Sequence, residues 1–483
     1  MISETITMTP LVVDLDGSLL KTDLLVETAS QFIIRNPSQI PRMLSWLAQG
    51  KCTLKAKLAE RANIDVTCLP YNEALLRWLR EQKKFGRTLV LATASHRLLA
   101  SRVAEHLQIF DQVLATDEDI NLAGEHKREV LEHLFGRGKF DYVGNSGVDL
   151  SIWKSAQAAH IVSRSRRLIA RAQRAGNLDQ IFDNERPSLI AALIKAMRLH
   201  QWVKNLLIFV PLFTAFHFVI LQSSIHCLCA FIAFGLTASS VYLLNDLVDV
   251  SDDRLHASKK KRPFASGNLP LLVGWLAWPV LLALAVAFSL IVLPPRFSAA
   301  LAVYFVLTLS YSLRLKRNMV IDVLILAGLY TMRIVAGTEA IAVPLSFWML
   351  AFSMFMFLSL AFIKRYTELD AALKAQRNSP LRGRGYSPDD LAIVMNLGAT
   401  SGYLAVLVLA LYIQDSHTAI LYHAPKLIWM ACPILLYWIS RIWFVAHRGK
   451  MHDDPIVFAL KDRTSLTTGA LFVLIFALAR FLP

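Results

Sequence analysis

Two patterns of apolar spacing divide the chain. From residue 1 to about 186 the apolar runs are short and charges recur between them; from about Leu199 onward, apolar runs of 17–25 residues follow one another. A helix needs about 20 apolar residues to cross a bilayer. Nine runs meet that need, at 199–219, 225–246, 270–292, 297–315, 320–340, 346–364, 390–413, 425–446 and 465–482. The first is the weakest, because Lys204 stands inside it. Earlier in the chain, apolar stretches at 10–15, 88–92 and 140–143 each run into a small polar cluster: Asp14-Leu15-Asp16-Gly17-Ser18, Thr93-Ala94-Ser95 and Gly144-Asn145-Ser146, with Asp149 just beyond. Helical patterns between them predict a parallel α/β sheet, and polar groups at the carboxyl ends of such strands gather in one crevice. The mostly helical residues 24–85 interrupt the first crossover as a cap would. The expected architecture is an N-terminal α/β domain with a Rossmann-like parallel sheet and helical cap (1–165), a basic juxtamembrane linker (166–190), and an all-α polytopic membrane domain of about nine helices (191–483).

Composition agrees with a membrane chain. Only 18% of the 483 residues are charged and 55% are hydrophobic, where a soluble globular protein carries about 25% charged residues. That excludes an ordinary soluble enzyme and a disordered chain. Five cysteines, Cys52, Cys68, Cys227, Cys229 and Cys432, match no zinc spacing and read as reduced packing residues. The net charge of +15 is distributed for a bilayer, and no nucleic-acid partner is expected. With the N-terminal domain in the cytoplasm, nineteen Lys and Arg fall in loops on that side, and only Arg296 and Lys426 in the opposite loops. This asymmetry predicts a multi-pass inner-membrane protein with a cytoplasmic N-terminal domain. The opening MISETITMTPLVVDLDG lacks a basic segment followed by an apolar core, so no signal peptide is expected. Arg164, Arg166, Arg167, Arg171 and Arg174 make the linker basic, suited either to anionic lipid or to a solvated helix.

The end of the second apolar run carries the densest chemistry: Asn245-Asp246-Leu247-Val248-Asp249-Val250-Ser251-Asp252-Asp253-Arg254. At about 100° per residue, Asp249, Asp253 and Asp246 fall within about 100° of Asn245, on one helical face. Carboxylates stacked this way repel one another unless a cation binds them, and an all-oxygen set suits Mg²⁺ with substrate phosphates. Lys259, Lys260, Lys261 and Arg262 follow and suit anionic oxygens. The pairing predicts a magnesium–diphosphate site at the cytoplasmic face. Within the fifth run Arg333 stands at mid-span, where a charge is costly, on the same helical stripe as Asp322. Either the two form one polar stripe facing a substrate cavity, or they are held in interhelical ion pairs.

The motifs resemble two known families. DLDGSLL, ATAS, Lys127 within GEHKREVL, and GNSGVD resemble the four motifs of the haloacid dehalogenase-like superfamily. That resemblance implies that Asp14 is a phosphoryl-accepting nucleophile and Asp16 a general acid/base. It implies that Thr93 and Lys127 hold the phosphate, with Mg²⁺ between Asp14, the Asp16 backbone and Asp149. The fourth motif departs from the pattern, with Asn145 where an acid follows the glycine, which weakens the expected hold on Mg²⁺. NDxxDxxxD from Asn245 to Asp253, with Lys204-Asn205 and Tyr311 followed by Lys316-Arg317, resembles the UbiA superfamily of membrane prenyltransferases. This implies an all-helical fold around a cavity open to lipid, in which Asp246, Asp249 and Asp253 hold Mg²⁺ and Asn245 supports them.

Aromatic prenyltransferases of that superfamily carry a second Asp-rich motif after the sixth span. Here the loop reads Lys364-Arg365-Tyr366-Thr367-Glu368-Leu369-Asp370. RLHQWVKNLLIF, IDVLILAGLYTMRIVAG and LSLAFIKRYTEL resemble instead the decaprenyl-phosphate phosphoribosyltransferase branch. The resemblance implies phosphoribosyl diphosphate as donor and a polyprenyl phosphate as acceptor, with Lys204, Arg262, Lys316, Arg333, Lys364 and Arg365 as cationic groups for two phosphorylated substrates. His452-Asp453-Asp454 and Lys461-Asp462-Arg463 are expected to support them. On this reading the N-terminal domain is a phosphatase acting on the 5-phosphate of the lipid-linked product. Two other readings stand beside it: transfer of a prenyl group from prenyl diphosphate to an aromatic acceptor, and a non-catalytic lipid-binding scaffold.

Overall fold

The computed structural model describes residues 8–117, 121–183, 186–256, 258–374, 385–415, 421–451 and 454–482. The N-terminal part contains a six-stranded sheet: β1 (Leu11–Val13), β2 (Leu89–His96), β3 (Gln112–Thr116), β4 (Asp141–Gly144), β5 (Ala159–Val162) and β6 (Leu178–Phe182), in spatial order β3-β2-β1-β4-β5-β6. All pairings are parallel. Val13 pairs with Leu91 on one side and Val143 on the other, so the polar clusters at the carboxyl ends of β1, β2 and β4 lie at one edge of the sheet. Alternate strand residues point to opposite faces. Leu11 and Val13 pack with Leu89, Leu91, Leu75 and Val103 on one face; Val12, Val90 and Ala92 pack with Phe140 and Trp153 on the other. Residues buried on both faces make these strands continuously apolar.

The cap comprises helices Leu24–Arg35, Ile40–Gln49 and Lys51–Arg61, with its own small core of Phe32, Trp46, Leu54 and Leu58. Asp23 caps the first of them by accepting from the Leu25 and Val26 N–H groups, which satisfies donors that a helix start leaves unpaired. The stretch 166–190, expected as a linker, folds differently. It supplies helix Arg166–Gln173 and then β6, and Arg164 pairs with Asp183. The alternation of buried Phe182 with exposed Asp179 and Ile181 lets this basic segment close the edge of the sheet.

Beyond it, eight helices among the described residues are long and apolar enough to cross a membrane: Leu221–Val248, Leu271–Val292, Pro295–Leu313, Ile321–Ile341, Phe347–Lys374, Pro388–Ile413, Pro425–His447 and Arg463–Phe481. The chain is a multi-pass membrane protein with close to the expected number of helices. The first expected run takes another form. It follows Arg198, whose φ is 54°, as a 3-10 helix, Leu199–Phe209, and a short α-helix, Val210–Thr214. A Cβ on Gly337 would stand 2.2 Å from the Ile208 carbonyl oxygen, so the helix Ile321–Ile341 meets this backbone directly, which glycine alone permits.

The chain divides into two compact units, one of 1–197 with 242–278 and one of 198–241 with 279–483. The acidic segment after the Leu221–Val248 helix therefore groups with the N-terminal domain rather than with the remaining membrane helices.

Candidate active sites

At the carboxyl end of β1, Asp14 is buried and bonded to Lys127 Nζ at 2.8 Å and to Ser18 Oγ at 3.1 Å. Lys127 also reaches the Ala92 carbonyl and the Tyr142 hydroxyl. Asp16 Oδ2 accepts from Ser95 Oγ at 2.7 Å and Thr93 Oγ1 at 3.3 Å, and its Oδ1 from the Leu24 N–H at 2.9 Å. Burial raises the Asp14 carboxyl, the Asp149 charge adds to this, and Lys127 opposes it. Burial, with the charge of Asp23, pushes Asp16 up to about 7, a range suited to a proton donor. The crevice thus brings together Asp14, Asp16, Thr93 and Lys127 as expected from the sequence. It also contains two side chains the sequence did not single out. Ser95 is the last residue of the ATAS motif. Lys55 reaches the Ala94 carbonyl from cap helix Lys51–Arg61 at 2.6 Å.

Asp149 is placed differently from its expected role. Its Oδ2 accepts from the Asn145 N–H, the Ser146 N–H and Ser146 Oγ at 3.0, 2.8 and 3.0 Å, and its Oδ1 from Tyr142 at 3.1 Å. These bonds form a capping box at the 3-10 turn Gly147–Asp149. The Asn145 amide lies against Gly17, 2.0 Å from where a Cβ would stand. A carboxylate whose oxygens already accept four donors, beside a neutral amide, does not fit a tightly held Mg²⁺.

The second set lies where the helix Leu221–Val248 gives way, at Asp249, to the helix Val250–Leu255. The turn between them keeps i→i+4 bonding, from Asp249 N–H to the Asn245 carbonyl and from Asp253 N–H to the Asp249 carbonyl. The acidic stripe therefore survives the break. Asp246 and Asp253 are both buried and converge on one guanidinium nitrogen of Arg262, at 3.2 and 2.6 Å. Asn245 and Asp249 are half-buried on adjoining turns. Burial raises the Asp253 carboxyl and Arg262 opposes it. Arg262, expected to take phosphate, here neutralises the carboxylates instead.

A third set belongs to the other unit. Asp454 accepts from Lys204 at 2.8 Å, Lys364 at 3.3 Å and the Tyr330 hydroxyl at 3.2 Å. Burial would raise its carboxyl, but Lys364 and Lys204 outweigh that and hold it below the usual carboxylate range. Nearby in the chain, Arg333 donates to Asn205 Oδ1 at 2.9 Å, the Leu329 carbonyl at 2.5 Å and the Tyr304 hydroxyl at 3.1 Å. Its guanidinium also lies 5.1 Å from the Tyr304 ring centroid and 5.7 Å from those of Phe234 and Tyr330. Arg333 and Asp322, on one helix, thus take different partners. Asp322 contacts Arg365 Nε at 2.5 Å and accepts from Tyr311 at 2.8 Å, and Arg365 also pairs with Glu368. Arg365 and Asp322 are both fully buried. The expected phosphate ligand Arg365 is therefore committed to an interhelical ion pair, because two carboxylates three and 43 residues away neutralise it. Lys316 is half-buried in the 3-10 turn Leu315–Arg317. Of the remaining supporting groups, Asp462 pairs with Arg441, while His452 and Asp453 lie outside the described residues.

Residues 206–477 match the UbiA prenyltransferase family. The chain belongs to that family. It is similar to Uncharacterized protein y4nM of Sinorhizobium fredii, with 35% identity over 97% of this chain and 91% of that protein. It resembles Nodulation protein NoeC of Azorhizobium caulinodans at 39% identity over 56% of this chain and 88% of NoeC. It also resembles Decaprenyl-phosphate phosphoribosyltransferase of Mycolicibacterium smegmatis at 32% identity over 57% of this chain and 88% of that enzyme.

In this UbiA-family chain the magnesium expected at the acidic stripe can be tested on the donor set. Among the described residues no three His, Cys, Asp or Glu side chains already converge for a metal ion. Yet Asp246 and Asp253 aim oxygens at a single point, and a cation, the Arg262 guanidinium, stands there. These residues fit a cation that would replace or join Arg262. Tyr304 and Tyr330 were missed at the sequence level. Tyr330 stands one helical turn before Arg333, a spacing that could have marked it; Tyr304 is on another helix and left no such signal.

Proposed function

We propose that the membrane part transfers a phosphoribosyl group from phosphoribosyl diphosphate to a polyprenyl phosphate at the cytoplasmic face of the inner membrane. The observation that carries this reading is the convergence of Lys204 and Lys364 on Asp454. Two ammonium groups held by one carboxylate retain an excess positive charge for a phosphate, and Lys364 stands where aromatic prenyltransferases carry a second acidic motif. The similarity to the mycobacterial phosphoribosyltransferase supports the same choice. An oxygen of the polyprenyl phosphate attacks the anomeric carbon of the donor. A new C–O bond forms as the bond to diphosphate breaks, and diphosphate leaves with the electron pair. Mg²⁺ at Asp246, Asp249 and Asp253 would supply charge neutralisation to that leaving group. Asn245 would support this set, and Lys204 and Lys364 would hold a substrate phosphate.

The N-terminal crevice is read as a phosphoryl site. Asp14 would attack phosphorus, Lys127, bonded to it, would hold the phosphate oxygens, and Asp16, held by Ser95 and Thr93, would move the proton, a role these contacts support. Its substrate class is a phosphomonoester, and the 5-phosphate of the lipid product is the one this fusion suggests.

Membranes containing the protein, supplied with labelled phosphoribosyl diphosphate and polyprenyl phosphate in one tube and prenyl diphosphate with 4-hydroxybenzoate in another, test the transfer. Labelled lipid in the first tube is expected. Product only in the second would establish aromatic prenylation, and product in neither would leave a lipid-binding scaffold.

A further inference from the structure

The acidic stripe shares a compact unit with the cap of the N-terminal domain, and one buried contact joins them. Glu27, on helix Leu24–Arg35, accepts both Arg254 guanidinium arms, Nη2 at 2.5 Å and Nη1 at 3.2 Å. Only 6% and 7% of the two side chains are exposed. Glu27 Oε1 also accepts from Thr22 Oγ1 at 2.8 Å, and Arg254 Nε donates to the Ala265 carbonyl at 3.3 Å. Arg254 follows Asp253 in the helix Val250–Leu255, and that helix has only six residues with which to fix its own orientation. A short helix gains little stability from its own hydrogen bonds, so its position is set by what it packs against. A second contact runs parallel: Trp275 Nε1 donates to the buried Ser30 Oγ at 2.9 Å, one helical turn after Glu27. The start of the cap helix is itself tied to the phosphoryl crevice, since the Leu24 N–H donates to Asp16.

We infer that Glu27 is a positioning residue for the transferase: through Arg254 it fixes the Val250–Leu255 helix, and with it Asp253, in the orientation that receives a magnesium-bound diphosphate. The soluble domain is on this account a clamp on the acidic stripe as well as a separate site. The inference rests on the transferase reading above. It requires no ligand in the phosphoryl crevice, and a bidentate pair shielded from water is the geometry in which a carboxylate and a guanidinium hold orientation most firmly.

The test uses the full-length chain in detergent, wild type against Glu27→Gln and the exchanged pair Glu27→Arg with Arg254→Glu. One readout is hydrogen exchange of the backbone at 250–265; the other is calorimetric binding of inorganic diphosphate with Mg²⁺. Glu27→Gln is expected to lose protection across 250–265 and to bind diphosphate about tenfold more weakly, the loss of one charge-assisted contact, while the β1–β4 strands keep wild-type exchange. The exchanged pair is expected to recover part of both. If Glu27→Gln does not accumulate as folded protein, Glu27→Asp, which keeps the charge and withdraws it by one methylene, carries the same expectation at smaller amplitude. Unchanged protection at 250–265, or lost protection with unchanged diphosphate affinity, overturns the inference. A wild-type chain that binds no diphosphate removes the transferase reading, and this inference with it.

Discussion

Asp454 accepts from two lysines on different segments, and its carboxylate balances charges that burial would otherwise strand. Asp454→Asn would leave Lys204 and Lys364 facing one another without a counter-ion, at a cost of about 3–5 kcal/mol for breaking a buried pair from one side. The variant is expected to melt at lower temperature than wild type, and added inorganic phosphate should raise its melting point more than it raises the wild type's. Equal phosphate responses in a thermal-shift series would detach these lysines from phosphate binding. Asp249→Ala should abolish transfer while the protein still inserts and melts normally, because the alanine brings no oxygen to the stripe between Asn245 and Asp253. Turnover unaffected at saturating Mg²⁺ would remove Asp249 from the site. In the crevice, Asn145→Asp puts a carboxylate against Gly17, near the end of β1, and should lower the Mg²⁺ concentration needed for phosphate release from a small ester; Asp14→Asn should stop that release. Release that persists in Asp14→Asn would rule out the nucleophile.

At the scale of elements, the sheet shows what local pattern makes legible. Strands β1, β2 and β4 were readable because continuous apolar runs end at polar clusters. Strand β6 was not, because its basic surroundings resemble a solvated linker and its partner β5 lies across a helix. Its neighbour β5 carries His160, which is 1% exposed and packs against Trp78 at 5.0 Å. Burial lowers its pKa, against the opposing charges of Asp141 and Asp179 and with that of Arg87. The folded state therefore binds this proton less readily than the unfolded chain. The stability associated with neutral His160 is complete above the unfolded value of about 6.5 and falls as pH drops from there towards the lowered folded value. Melting temperatures from pH 7.5 to 5.5 should decline more in wild type than in His160→Gln; parallel declines would clear His160 of the effect. The acidic stripe was readable for a different reason: i→i+4 bonds continue through Asp249, so the helical angle from Asn245 to Asp253 holds despite the break.

At the scale of the molecule, the buried Glu27–Arg254 pair joins the cap of the N-terminal domain to the segment that follows the Leu221–Val248 helix. With the Lys- and Arg-rich loops on the cytoplasmic side, a cysteine at Val219 is expected to react with an impermeant reagent from outside the cell, and one at Lys260 only after the membrane is opened. Labelling of Lys260→Cys in intact cells would reverse the orientation.

The sequence by itself determined the division into an α/β domain and a polytopic helical domain, because apolar period and run length are local properties. It also placed Asp14, Asp16 and Thr93 at the carboxyl ends of strands and Asp246 with Asp253 on one stripe, since strand and helix geometry fix such short-range relations. Tertiary structure alone decided which charges meet. Arg365 sits against Asp322, Lys204 and Lys364 share Asp454, and Arg254 meets Glu27, across separations of 43, 250, 90 and 227 residues. The physical reason is that a buried charge is stabilised by whichever opposite charge the packing brings within reach, and no periodicity along the chain records that choice.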